Sequence, residues 1–167
     1  GFLIETKARI EYSRKRTILA PESGMIFALA DKGRLLWKSR LAYAYRRPDF
    51  MDLFWPETFF AAGNPELELE HGWNLESSLE WKPGGGFQAT AALYQNTLDD
   101  MIVWQPSAGG VWRPSNVASA RIRGFETSLQ YQLLSGKKVS LRSKFSYSLQ
   151  LARNTTPGPN QGNQLAR

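Results

Sequence analysis

Bulky or apolar residues alternate with polar residues over long stretches of this chain, and a period of two residues is typical of a β-strand. The longest such stretch covers residues 139–151, where every second residue from Val139 to Leu151 is bulky or apolar except Ser143. The same alternation covers residues 4–13, 37–46, 74–81 and 125–133. Residues 22–30 and 87–104 are apolar and strand-like but lose the phase, as a strand with a bulge would. We therefore predict about seven strands.

The segments between these strands differ in length. Short sequences rich in turn-forming residues stand at 31–34, 82–86 and 135–138. Longer segments stand at 47–71 and 105–120, and the tail from Arg153 opens another. This pattern predicts an all-β, antiparallel up-and-down meander with short turns at one edge of the sheet and long loops at the other. No segment predicts a helix.

Alternation alone does not say what the apolar face of each strand contacts, because soluble β-sandwiches alternate as well. Soluble strands average about 5–6 residues, whereas a strand that spans a bilayer needs about 9–11. The four longest alternating segments here have nine to thirteen residues. Ionic residues on the polar faces suit a wet lumen, and aromatic residues near the ends of the apolar faces resemble interfacial girdles. Examples are Lys38, Arg40, Arg142 and Lys144 for the first group and Tyr12, Tyr45, Trp81 and Phe125 for the second. We expect a membrane β-barrel, with a soluble all-β ligand-binding module as an alternative.

Composition excludes several other classes of protein. A content of 42% hydrophobic and 13% aromatic residues is too high for a disordered chain, and the lack of cysteine excludes disulfides and thiolate sites. The 21 Lys and Arg residues are dispersed among 15 Asp and Glu, so the net charge of +6 does not indicate nucleic-acid binding. His71 is the single histidine, and no phosphate-binding glycine loop or His-Glu-x-x-His motif occurs. We expect no enzymatic activity, no metal site and no cofactor.

Four short motifs resemble the TonB-dependent outer-membrane receptors, a family of siderophore and vitamin receptors. Residues 43–54 match a strand that ends in Arg-x-Pro-x-Phe-x-x-Leu-aromatic, and residues 63–70 match the Gly-Asn-Pro-x-Leu-x-Pro-Glu loop that follows, with Leu69 in place of its second proline. Residues 99–102 resemble the family's Asp-x-Ile strand end, and residues 116–126 resemble its Asn-x-x-x-Ala-x-x-x-Gly-x-Glu motif. The resemblance implies structural roles for Arg46, Pro48, Asn64, Pro65, Glu70, Gly124 and Glu126. Among these, Pro48 would set a turn, Arg46 would point toward lumen carboxylates, and Gly124 would supply a permissive backbone where a loop enters a strand.

The resemblance also implies a setting for the chain. Family barrels have about 22 strands around a plug domain, so residues 1–167 would be a single partial barrel domain from the C-terminal part, without the plug and the final strands. Long loops would face the outside and short turns the periplasm of a Gram-negative bacterium. The partners would be outer-membrane lipid and the TonB-ExbB-ExbD complex, which would act through the plug. The implied function is import of an iron siderophore or a similar scarce, bulky ligand, with a porin or a barrel enzyme as the alternative.

Ligand recognition belongs to loops that a rigid wall supports. Aromatic faces together with arginine can hold flat or anionic chelates by stacking and bidentate hydrogen bonds. The loop candidates are Trp55, Phe59, Phe60, His71, Trp104, Trp112 and Arg113. In the alternative interpretation, these aromatic residues pack the loops against each other. The sequence leaves the ligand open among a siderophore, cobalamin, haem, a metal or a sugar.

Overall fold

The computed structural model of the chain describes residues 1–12, 17–30, 33–107, 109–135 and 140–164. Seven strands and one short helix lie in these ranges: β1 (Phe2–Tyr12), β2 (Thr17–Ala28), β3 (Leu35–Arg46), α1 (Phe50–Phe54), β4 (Glu70–Gly84), β5 (Phe87–Pro106), β6 (Trp112–Ser135) and β7 (Ser140–Asn154). The strands form one sheet in the order β1-β2-β3-β4-β5-β6-β7. The predicted all-β, up-and-down meander is therefore confirmed.

The register of the first three strands explains why the two faces of the sheet differ. Strand β1 pairs antiparallel with β2, which pairs antiparallel with β3, so that Phe2, Phe27 and Trp37 are aligned across the sheet. Residues directly opposite each other point to the same face. The three rings stack on that face with centroid distances of 5.6 Å from each ring to the next. Alternation in the sequence thus becomes one apolar and one polar face.

Charged residues of opposite sign meet on the polar face. Arg40 donates two hydrogen bonds to the carboxylate of Glu22, at 2.8 and 3.1 Å. Lys38 and Lys82 both form ion pairs with Glu80. Ion pairs that water still reaches add little to stability. These ion pairs indicate which surroundings suit the face, because a surface with many ion pairs suits contact with water rather than with lipid.

Many apolar side chains are exposed. The larger ones include Ile4, Ile10, Leu41, Leu75, Leu79, Phe145, Leu149 and Leu151. In the described residues, the buried apolar positions are Ile18, Ala42, Ala61, Ala62, Ala120 and Pro114, most of them small. A soluble monomer rarely exposes so much contiguous apolar surface. An apolar face of this kind is typical of a surface that contacts a membrane or another protein.

Three predicted boundaries are wrong. Strand β5 extends to Pro106 and β6 begins at Trp112, so the long loop expected at 105–120 shrinks to residues 107–111. The first part of β6 contains a proline and small residues, so its apolar positions give no clear alternation. Strand β2 begins at Thr17 instead of residue 22. The segregation of short turns from long loops is therefore not strict, since a five-residue connection now stands where a long loop was expected.

The connection at residues 47–69 is long, as expected, but it contains the unpredicted helix α1. A turn lies within the predicted range 82–86 but is shorter than expected: β4 ends at Gly84, and the turn consists of Gly85 and Gly86, which have positive φ. Among the described residues, no helix combines the length and the apolar content needed to cross a membrane. Several predicted positions lie outside the described residues, namely Ser13, Asp31, Lys32, Gly136, Lys137, Lys138 and Val139.

The chain divides into two compact units. Unit 1 comprises Gly1–Ala42, Asn74–Gln95 and Arg123–Leu151. Unit 2 comprises Tyr43–Trp73, Asn96–Ile122 and Ala152–Arg167. All seven ligand candidates lie in unit 2, whereas the motif residues Gly124 and Glu126 lie in unit 1.

Candidate functional site

Helix α1 begins with a reciprocal cap. The side chain of Asp49 accepts a hydrogen bond from the backbone N–H of Asp52 at 2.8 Å, and the Asp52 carboxylate accepts one from the backbone N–H of Asp49 at 3.3 Å. Such a capping box pairs two backbone donors that a helix start would otherwise leave free. A five-residue helix is unstable in isolation. The cap and the packing described next therefore stabilise it.

Asp52 also connects the helix to β5. Its side chain is buried, with 8% of the residue exposed, and its Oδ1 accepts a hydrogen bond from Trp104 Nε1 at 3.0 Å. The Trp104 ring meets Trp55 edge to face, with centroids 6.1 Å apart. A buried carboxylate needs such donors to offset its desolvation. We call Asp52, Trp55 and Trp104 the packed cluster.

The chain then folds back on the helix at Gly63. The Gly63 N–H donates to Trp55 O at 3.1 Å, and the Asn64 N–H donates to Asp52 O at 2.8 Å. A Cβ atom at Gly63 would lie 2.6 Å from Trp55 N, closer than any real side chain approaches a backbone atom. Glycine is therefore required for this close approach, which explains the first residue of the Gly-Asn-Pro motif.

Two asparagine side chains attach the loop to β5 and β6, and we call them the asparagine clamps. Asn64 donates from Nδ2 to Pro114 O at 3.1 Å and accepts from the Glu66 N–H at 3.0 Å. Asn116 accepts from the Glu68 N–H at 2.8 Å. Its Nδ2 donates to Glu68 O at 3.1 Å and to Asp100 O at 2.7 Å.

The loop also forms a short parallel pairing with the start of β6. Ala61 and Trp112 form a parallel bridge. The Ala62 N–H donates to Trp112 O at 3.0 Å, and the Trp112 N–H donates to Phe60 O at 2.8 Å. Ala61 and Ala62 are buried. The main chain of Trp112 is thereby fixed to the loop.

Three aromatic residues beside this pairing are exposed. Phe59 is 91% exposed, Phe60 51% and Trp112 49%. The Phe59 and Phe60 rings meet edge to face at 5.0 Å. We call Phe59, Phe60 and Trp112 the exposed ridge. The next residue, Arg113, donates from Nη2 to Glu57 Oε1 at 2.9 Å.

The carboxylate of Glu70 joins β3, β4 and β5. Arg46 donates from Nε and Nη2 to Glu70 at 2.5 and 2.8 Å, and Glu70 Oε1 also accepts from the Ile102 N–H at 2.7 Å. The bidentate geometry uses the fork of the guanidinium, which lysine cannot reproduce. Arg46 therefore points to a carboxylate of the neighbouring strand.

His71 lies at the start of β4, next to Glu70. Its Nε2 is 3.2 Å from Asp100 Oδ2, and its ring stacks on Tyr43 with centroids 5.8 Å apart. Asp100 has a φ of +55°, a left-handed conformation that is uncommon outside glycine. In the described part of the chain, no group of three or more His, Asp or Glu side chains is arranged to hold a metal ion.

The structure corrects where some predicted residues stand. Trp104 lies within β5, and Trp112 and Arg113 open β6, so these three residues are not in a loop. Of the other motif residues, Pro48 and Pro65 lie in the connection at 47–69, and Glu126 is exposed on β6.

Gly124 is not at a junction between a loop and a strand, as expected, but inside β6. A Cβ there would lie 2.2 Å from Tyr94 Cζ, so glycine makes room for the tyrosine ring across the strands. The Tyr94 hydroxyl lies 3.4 Å from Gln150 Oε1. The reason for this glycine is thus space for a neighbouring side chain.

Sequence reasoning missed the roles of Asp52, Asn116 and the pair Ala61 and Ala62. The capping box was visible as Asp49 and Asp52 three residues apart. Asn116 stood within a recognised motif without an assigned role. The Ala61–Trp112 pairing joins residues about fifty positions apart, which leaves no local signal in the sequence.

Comparison with known proteins identifies the family. The family described as "TonB dependent receptor-like, beta-barrel" matches residues 3–167. The chain is similar to the Vitamin B12 transporter BtuB of Vibrio vulnificus, with 34% identity over 90 residues, 53% of this chain and 14% of that protein. It is also 34% identical over 93 residues to the Vitamin B12 transporter BtuB of Photobacterium profundum, covering 49% of this chain and 13% of that protein. The chain thus spans only a small part of the length of these relatives.

Solved structures share the fold. The siderophore receptor PirA from Pseudomonas aeruginosa superposes with a TM-score of 0.74 at 19% identity, covering 92% of this chain and 31% of the receptor. The RagAB peptide importer gives a TM-score of 0.71 at 16% identity, covering 93% of this chain and 20% of that chain. The copper transporter OprC gives a TM-score of 0.61 at 24% identity, covering 87% and 22%. With the family match over nearly all of its residues, the chain belongs to the TonB-dependent receptor-like β-barrel family.

Proposed function

We propose that the chain forms part of the wall of an outer-membrane, TonB-dependent transporter that imports a scarce, bulky ligand. The observation that carries this proposal is the sheet with one exposed apolar face and one ion-paired face. Such a sheet suits a boundary between lipid and a hydrated lumen. The family match supports the proposal over a soluble all-β module. The function is transport rather than catalysis.

In this proposal, unit 2 faces the outside of a Gram-negative cell and meets the ligand first. The exposed ridge provides aromatic faces, and Arg113 beside it provides a cation. The packed cluster supports the loop from below, so Trp55 and Trp104 act indirectly. His71 lies with Asp100 and Tyr43 at the start of β4 as a further candidate contact. Energy for import comes from the TonB-ExbB-ExbD complex acting through a plug domain.

The ligand proposed first is an iron chelate of the siderophore class. Aromatic faces and a guanidinium suit a flat or anionic chelate, which they hold by stacking and by charge-assisted hydrogen bonds. Cobalamin is the second candidate, because the curated relatives with 34% identity are described as vitamin B12 transporters. Both ligands are large metal chelates that exceed the size a porin passes freely.

Uptake in cells tests the proposal. The gene is deleted in its host, and uptake of radiolabelled ferric catecholates, ferric hydroxamates, ferric citrate and cyanocobalamin is measured. We expect uptake of one probe to be lost, to return with the gene, and to stay absent when TonB is inactivated. Restored uptake that persists without TonB would contradict an energy-coupled transporter and favour a porin. Unchanged uptake of every probe in the deletion strain would contradict the ligand classes proposed.

A further inference from the structure

The exposed ridge is assembled from two parts of the chain. Phe59 and Phe60 belong to the connection at 47–69, whereas Trp112 belongs to β6. Main-chain pairing at Ala62 and Trp112 joins these parts, and so do the asparagine clamps. The hydrogen bond from Trp104 to Asp52 and the ion pair between Arg113 and Glu57 add two further links. Within the exposed ridge itself, the contact that the structure describes between the two parts is the main-chain pairing at Trp112.

We infer that Asn64 and Asn116 are positioning residues, which lock the loop at 47–69 and the β5–β6 hairpin into one body. The exposed ridge is then presented to a ligand as a single preformed surface. A preformed surface binds more tightly because its side chains and loops need less ordering on binding. The inference deepens the proposed function, since the ridge is the surface proposed to meet the chelate, but its test requires no ligand.

The chemistry of asparagine fits this role. A carboxamide carries an acceptor and two donors, so one side chain can bind both polar groups of a backbone. Asn116 uses all of them, by accepting from Glu68 N and donating to Glu68 O and Asp100 O. Asn64 accepts from Glu66 within the loop and donates to Pro114 on β6. Aspartate has the same shape and keeps the acceptor, but it loses the donors that reach β5 and β6 from these positions.

A distance measurement tests the inference in the full-length gene product in detergent. These 167 residues contain no cysteine. With any cysteine elsewhere in the full-length protein replaced by serine, Pro56→Cys and Gly109→Cys introduce two labelling sites, one on the loop and one on the hairpin. Both positions are exposed, and a Cβ at Gly109 meets nothing within 4 Å. Pulsed electron paramagnetic resonance between nitroxide labels then gives the distribution of distances. We expect one narrow peak.

The clamps are then removed one at a time. Asn64→Asp and Asn116→Asp should each broaden the peak, and the double variant should broaden it further, while the main-chain pairing and the Trp104–Asp52 hydrogen bond keep the two parts attached. The matched control Asn96→Asp, on β5 and outside the clamps, should leave the peak unchanged. A broad distribution without any clamp substitution, or a narrow peak that persists in the double variant, would overturn the inference.

A second measurement keeps the inference testable if a clamp variant fails to assemble. Hydrogen exchange in the unsubstituted protein should show the Ala62 and Trp112 amides protected to the same degree, since one body opens as a unit. Rapid exchange at either amide would overturn the inference. Where a transported chelate is known, Asn116→Asp should raise the half-saturation concentration and leave the maximal rate unchanged. If no chelate is transported, the distance result still stands.

Discussion

The packed cluster and the exposed ridge use the same kind of residue in different surroundings. In the cluster, the Trp104 ring contacts Trp55 and its Nε1 donates to the buried carboxylate of Asp52. In the ridge, Trp112 is fixed by its main chain while about half of the residue stays exposed. Aromatic residues close together in this region therefore either pack and hold the backbone or keep an exposed ring. The two roles should separate when each residue is removed.

Trp104→Ala should give the largest loss of stability. The substitution removes the contact with Trp55 and leaves the buried Asp52 carboxylate without one of its donors. We expect the free energy of unfolding to fall by about 2–4 kcal/mol, because truncating a packed tryptophan costs about 3–5 kcal/mol when it is fully buried and Trp104 is half-buried. Urea unfolding in detergent micelles, followed by tryptophan fluorescence and gel mobility, measures the change. A loss below about 0.5 kcal/mol would place Trp104 with the ridge instead.

Asp52→Ala should have the next largest effect. It leaves Trp104 Nε1 and the Asp49 N–H without the acceptor they have in the structure. Both hydrogen bonds are only part-buried, so we expect a loss of about 1 kcal/mol, the low end of the cost of an unpaired buried donor. The same unfolding assay applies. The matched control is Asp99→Ala, an exposed carboxylate in β5, whose loss should be within about 0.5 kcal/mol. Equal losses in the two variants would argue against a structural role for the packed cluster.

Trp112→Ala should separate transport from stability. The substitution keeps the backbone pairing with Phe60 and Ala62 and removes only an exposed ring, so unfolding should change by less than about 0.5 kcal/mol. Loss of a stacking contact should raise the half-saturation concentration for the transported chelate about tenfold, equivalent to about 1.4 kcal/mol. Trp55→Ala should instead lower the amount of folded protein. Unchanged transport by the Trp112 variant would return this residue to a packing role.

Phe59→Ser should have the smallest effect on folding. Phe59 is the most exposed residue of the ridge, and its ring contact is with Phe60. Its thermal midpoint should match that of the unsubstituted protein, while transport weakens less than in the Trp112 variant. A lower midpoint would show that the Phe59 ring stabilises the fold by packing against its neighbours. The ridge would then share the structural role assigned to the packed cluster.

The sheet could be predicted from the sequence because one of its faces is apolar and the other is polar. An apolar face places mostly apolar residues at every second position, so β1, β3 and β7 carried a strong signal. The first part of β6 did not, because Ala118, Ala120 and Gly124 are too small to mark a face. Position 124 holds a glycine because the Tyr94 ring, thirty positions away in the sequence, occupies the space that a side chain would need.

The sequence predicted which residues belong to the site, but not which of them contact each other. The motifs brought Arg46, Asn64 and Glu70 to attention, and the structure shows Arg46 and Glu70 in contact. Trp104 belongs to the packed cluster and Trp112 to the exposed ridge because each pairs with a residue about fifty positions away in the sequence. Such contacts follow from the closing of the loop onto β6, for which hydropathy carries no signal.

The central claim is that the sheet separates lipid from water, and an accessibility scan along β7 tests it most directly. Single cysteines are placed at residues 141–151 in the full-length protein in lipid vesicles, and each is exposed to a charged thiol reagent. The account predicts reaction at the positions of Arg142, Lys144, Ser146, Ser148 and Gln150, and protection at those of Leu141, Phe145, Tyr147, Leu149 and Leu151. Equal reaction at both sets of positions would mean that water reaches both faces, which would contradict a membrane wall.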